Sequence, residues 1–149
     1  MLELIKACYE VRALKGRQEL GLPLQAADEA AIEILQRLFY YAEQAGGRRC
    51  ARRHRTRVPC CFKLHATRMG DGVITDLSAD GMFIETEHRP ALGSVTTLRI
   101  RDASWAREYH FGCKVVRLTE HGMAVELIGI PVECRYAQTT PAADLALAA

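Results

Sequence analysis

No stretch of this 149-residue chain approaches the ~18 consecutive apolar residues of a membrane span. The opening Met1-Leu2-Glu3-Leu4-Ile5-Lys6 places an acid where a secretory signal would be basic, and no long apolar core follows it. C-x-x-C pairs are missing, and the five histidines and six cysteines form no paired zinc-finger motif. Nor is there a Gly-x-Ser-x-Gly elbow, a phosphate-binding P-loop, or a nucleophile beside an evident base. These absences argue against a membrane protein, a metal site, a cofactor enzyme and a hydrolase. The six cysteines (Cys8, Cys50, Cys60, Cys61, Cys113 and Cys134) read as reduced cytosolic thiols, mostly buried. Adjacent Cys60 and Cys61 would point to opposite faces of a strand. The chain therefore reads as a cytoplasmic binding protein without cofactor or catalysis.

What the chain does have is a concentrated positive charge. Six arginines (Arg48, Arg49, Arg52, Arg53, Arg55 and Arg57) fall within ten residues that hold no acid. Residues 1–47 carry five basic and seven acidic side chains, and residues 58–149 carry nine and eleven. The net charge of +2 is thus produced at one junction. A protein that coats duplex nucleic acid spreads its basic residues over a whole face, so this pattern suits a compact anion better.

Three segments follow from periodicity. Residues 1–47 predict a helical hairpin. Ala31, Ile34, Leu35, Leu38 and Ala42 form one clear apolar stripe, with Asp28 and Glu29 near the helix start and Gly46-Gly47 at its end. A weaker first helix, from about Leu2 to Glu19, carries Leu4, Cys8 and Val11, widened by Ile5 and Leu14. Gly21-Leu22-Pro23 separates the two. The hairpin's sticky side must pack on the rest of the chain, on a second copy or on a partner, and its net negative charge disfavours nucleic acid. Residues 48–130 predict six strands: Val58–Ala66, Val73–Leu77, Met82–Glu85, Val95–Arg101, Tyr109–Leu118 and Met123–Ile128. Turns are expected at Gly70-Asp71-Gly72, Gly93-Ser94 and Glu120-His121-Gly122. Strands without intervening helices predict a mainly β, six-stranded antiparallel barrel. Residues 131–149 read as a tail with linker-like and alanine-rich composition.

Nineteen residues after Arg57 comes Asp76-Leu77-Ser78-Ala79-Asp80-Gly81. Arginine's planar fork matches phosphate and also the O6/N7 edge of guanine. The Asp76 carboxylate can accept from guanine N1–H and N2–H₂ together. Ser78 can reach a phosphate or a backbone group, and Gly81 permits close backbone approach or a positive φ.

Arg53-His54-Arg55-Thr56-Arg57 ahead of Val58-Pro59, with Asp76-x-Ser78-x-x-Gly81, Gly81-Met82-Phe83-Ile84 and Gly122-Met123-Ala124-Val125-Glu126 downstream, resembles the PilZ domain. That family is the receptor for the bacterial messenger cyclic di-GMP. The resemblance implies a PilZ-type barrel that binds the dinucleotide at its rim. Arg53 and Arg57 would take guanine Hoogsteen edges and phosphates, Asp76 and Ser78 the opposite guanine edge, and Gly81 would shape the turn. Arg52, just before the first motif, goes in the family with a stacked ligand dimer. Arg48, Arg49 and Arg55 are left as solvated or steering charges. The hairpin is expected to relay occupancy to an unidentified protein partner. Two rivals remain at this stage: a nucleic-acid-binding module using residues 48–57 as an arm, and a ligand-independent protein-interaction adaptor.

Overall fold

The computed structural model describes residues 2–39, 54–65, 68–78 and 80–135. Arg52 and Arg53, with the Gly46-Gly47 helix end, lie outside them. Two helices, α1 (Leu2–Glu19) and α2 (Ala26–Phe39), precede six strands: β1 (His54–His65), β2 (Arg68–Leu77), β3 (Gly81–Glu85), β4 (Val95–Asp102), β5 (Arg107–Leu118) and β6 (Gly122–Arg135). All strand pairs are antiparallel, and the sheet closes in the order β1-β2-β3-β6-β5-β4. Closure through Cys61–Arg99 and Phe62–Leu98 removes the free sheet edges. The expected PilZ-type barrel with a helical hairpin is the architecture found.

Alternation decides which face is inside. Thr96, Leu98 and Ile100 of β4 are buried, as are Phe111, Cys113 and Val115 of β5 and Met123, Val125 and Leu127 of β6. Val116, next to Val115, faces outward, and the register shift between Val115 and Arg117 then interrupts the alternation. Cys60 is buried and Cys61 half-buried, on opposite faces of β1, and the five described cysteines are free thiols.

One expected turn is not a turn. Gly70-Asp71-Gly72 lies inside β2, which begins at Arg68. Both glycines are there for lack of room. A Cβ on Gly70 would stand 2.9 Å from the Phe62 ring, and one on Gly72 would stand 2.7 Å from Ile84 Cγ2. Close packing, and not chain reversal, is what requires glycine here.

Both expected helices are found. α1, the weaker pattern, is the one that closes the barrel. It covers the end where β1, β3 and β5 begin and β2, β4 and β6 end, and it sends Ile5, Cys8 and Val11 into the core at 0% exposure. Tyr9 packs obliquely on Tyr109, with ring centroids 5.3 Å apart, and edge-on to Phe111. The contact face includes two residues that an apolar stripe omits. Arg12 is buried, donating from Nε to the carbonyl of Gly129 at 3.1 Å and pairing with Glu19 at 2.6 Å. Gly16 lies so near β6 that a Cβ would meet Gly129 O at 2.6 Å. The helix ends where Gly21 takes a positive φ of 75° and Leu22 N returns to Arg17 O at 2.9 Å. α2 keeps its clear apolar stripe only partly covered: Leu35 packs against the core, whereas Ile34 is 63% exposed.

Candidate functional site

The segment from Asp76 to Gly81 links β2 to β3, and its own side chains hold it closed. Ser78 N donates to Gly81 O at 2.9 Å, Ser78 Oγ donates to the same oxygen at 3.1 Å, and Gly81 N donates back to Ser78 Oγ at 3.2 Å. The Ser78 hydroxyl is therefore engaged in the turn. Leu127 N donates to Asp80 O at 2.9 Å and pins the turn to β6. Gly81 is needed for close approach: a Cβ there would stand 2.7 Å from Val125 O. Of the two roles open to this glycine, positive φ and proximity, the backbone uses proximity.

α1 rests on this same turn. Cys8 Sγ donates to Ser78 O at 3.6 Å, and Lys15 Nζ meets Asp80 Oδ1 at 3.3 Å. Burial first, then the Asp80 charge, push the Cys8 thiol up to about 12, against a smaller lowering from Arg12. The thiol therefore stays protonated and can serve as donor.

Outside the barrel, Asp76 belongs to a row that crosses five strands. Register pairs Arg55 with Asp76, Asp76 with Phe83, Phe83 with Ala124, and Ala124 with Arg117. A cleft of about 400 Å³ follows this row, with Asp76, Ser78 and Gly81 on one side, Phe83 and Ala124 in the middle and Arg117 at the far side. The second motif is thus brought together at one cleft.

Arg57 is not part of that cleft. β1 shifts register between Arg55 and Val58, so that Thr56 and Arg57 together face Thr75. Arg57 lines a neighbouring cleft of about 640 Å³ with Lys6 of α1, Arg101 and Arg107 of the barrel, and the acids Glu3 and Asp102. Between Arg55 and Arg57, the Thr56 hydroxyl is buried without a hydrogen-bond partner among the described residues. The described arginine opposite Asp76 is Arg55, which sequence reasoning had set aside as a steering charge. A β-bulge, which shifts the pairing by one residue, is the missing signal. Arg117, Phe83, Lys15 and Cys8 were missed as well, because no short motif joins residues that only the barrel register brings together.

A further charged cluster flanks the basic cleft. Glu108 accepts from Arg99 and Arg101 and lies 2.5 Å from His110 Nε2. Burial alone would raise its carboxyl, but the bonds from His110, Arg99 and Arg101 outweigh that and hold it below the ordinary glutamate range.

The model of the PilZ domain family matches residues 47–136, well over half of the chain. The chain belongs to the PilZ domain family. The matched region takes in all six strands of this PilZ barrel and leaves α1 and α2 outside it. A comparison with curated proteins found no match. Among the described residues no helix of this PilZ protein is long and apolar enough to cross a membrane.

Proposed function

We propose that this PilZ protein is a cyclic di-GMP receptor that reports occupancy through its N-terminal hairpin. Family members are in general receptors of that dinucleotide. The observation that carries the reading is the double use of one turn: the segment holding Asp76 and Gly81 lines the outer cleft and also carries α1, through Ser78 and Asp80.

In this reading Asp76 accepts from N1–H and N2–H₂ of one guanine. Arg57, with Arg52 and Arg53 from the preceding segment, takes phosphates and guanine O6/N7 edges. Ser78 contributes by keeping the turn in shape, and Gly81 by letting β3 lie against β6. Arg52 leads us to expect two stacked ligand molecules per chain. A ligand that moves the turn by a few tenths of an ångström changes the seat of Cys8 and Lys15, and so the face that residues 1–47 offer to a protein partner. The size of that effect is bounded by the difference in ligand affinity between the two arrangements. The chain acts as a cytoplasmic adaptor and not as an enzyme.

Calorimetry on the full chain tests the binding step. Cyclic di-GMP binds at micromolar or lower concentration with two molecules per chain, cyclic di-AMP does not bind, and Arg53→Ala, Arg57→Ala and Asp76→Ala each weaken binding at least tenfold. An absence of heat at tens of micromolar ligand defeats the reading. Steeply salt-dependent binding to oligonucleotides that ignores Asp76→Ala would support a nucleic-acid module instead.

A further inference from the structure

The outer cleft is chemically lopsided. Its lining holds three carboxylates, Asp76, Asp80 and Glu126, and one cation among the described residues, Arg117. Asp80 is engaged by Lys15. Asp76 and Glu126 suit the N–H donors of a purine edge and repel a phosphate. A nucleotide that places its base on Asp76 also brings a phosphate to the cleft, and among the described lining residues Arg117 is the cation that can neutralise it.

Geometry favours that division. Asp76, Phe83, Ala124 and Arg117 succeed one another on β2, β3, β6 and β5, all on the outer face. Three inter-strand steps of about 4.8 Å separate the two ends by roughly 14 Å along the backbone, a gap that the long arginine side chain shortens to the scale of a base and its phosphate. Between them lie a half-buried ring, Phe83, and the small Ala124. A flat aromatic surface beside a methyl group leaves space for a base to stack. β5 shifts register between Val115 and Arg117, and the extra residue, Val116, also lines the cleft. Bulges of this kind re-aim a side chain. Arg117 is exposed and has no ion-pair partner among the described residues.

We propose that Arg117 is a ligand-binding residue of this cleft, holding a phosphate of the nucleotide whose purine edge Asp76 holds across Phe83 and Ala124. This rests on the cyclic di-GMP reading above and adds β5 to the site. Arg117 sets specificity for a phosphorylated purine over a free base, which Asp76 alone does not.

Calorimetry with cyclic di-GMP on the full chain, read beside thermal melts, tests it. Arg117→Ala weakens binding at least tenfold at unchanged Tm, Arg117→Lys recovers part of the loss because it keeps the charge without the fork, and Arg117→Glu abolishes binding. Wild-type affinity in Arg117→Ala or Arg117→Glu, with binding still lost in Asp76→Ala, overturns this assignment and leaves the receptor reading standing. Failure of the wild-type chain to bind overturns both.

Discussion

The thiol of Cys8 in α1 donates to the carbonyl oxygen of Ser78, 3.6 Å away, joining residues 70 positions apart in the chain. One of the pair belongs to the helix that closes the barrel, the other to the turn that shapes the outer cleft. With Lys15–Asp80 seven residues further along α1, it makes the position of the helix depend on the position of the turn.

Docking of α1 hinges on the absence of a side chain at Gly16. Alanine there gains about 1 kcal/mol of helix propensity, but its Cβ would stand 2.6 Å from the backbone oxygen of Gly129, which has no flexible end to yield. Overpacking of this sort costs about 1–3 kcal/mol, so the clash outweighs the propensity gain. Gly16→Val, with two further carbons and poorer propensity, is worse. We predict that Gly16→Val exposes Cys8, seen by mass spectrometry as iodoacetamide labelling of the Cys8 peptide at pH 8 at least ten times faster than in wild type. Equal labelling rates would show that α1 is not held at this contact.

Ser78 and Asp76 have separable roles. Ser78→Ala removes both side-chain hydrogen bonds to Gly81 and lowers stability by about 1–2 kcal/mol. Asp76→Ala, on the outer face at the cleft, leaves stability within about 0.5 kcal/mol of wild type. Urea denaturation of the two variants checks the contrast. Similar midpoints for both would mean that the serine does not brace the turn.

Glu108 gives the fold a defined acid sensitivity. Its folded pKa is lowered, so its contribution is complete above the unfolded value and is lost as pH falls through the folded one. Glu108→Gln weakens the bonds from Arg99, Arg101 and His110 and costs about 1–3 kcal/mol at pH 7. That difference from wild type shrinks on acidification below about pH 4, measured as the gap between the two urea midpoints at pH 7 and at pH 3.5. A gap that stays constant across this range would contradict the assignment.

Strand content and closure were legible in the sequence because alternation at Thr96-Leu98-Ile100 and Met123-Val125-Leu127 reports directly which side faces the core. Turn chemistry was less reliable. Glycine marks both reversals and tight packing, and at Gly70 and Gly72 it marks packing. Which helix docks on the barrel was not legible for a related reason: α1 docks through Arg12 and Gly16, which no apolar count credits, while the clean stripe of α2 leaves Ile34 exposed. The motif residues Asp76, Ser78 and Gly81 could be read because they are near in sequence. Arg55, Phe83 and Arg117 could not, since bulges in β1 and β5 decide which residue stands opposite which.

Hydrogen exchange with and without saturating cyclic di-GMP measures binding and relay together. The account predicts altered protection in two places at once, the amides of residues 76–81 and those of α1 from Ile5 to Glu19. Altered protection confined to residues 76–81, with α1 unchanged, would contradict a signal passing through Cys8 and Lys15. No change at either place would contradict binding itself.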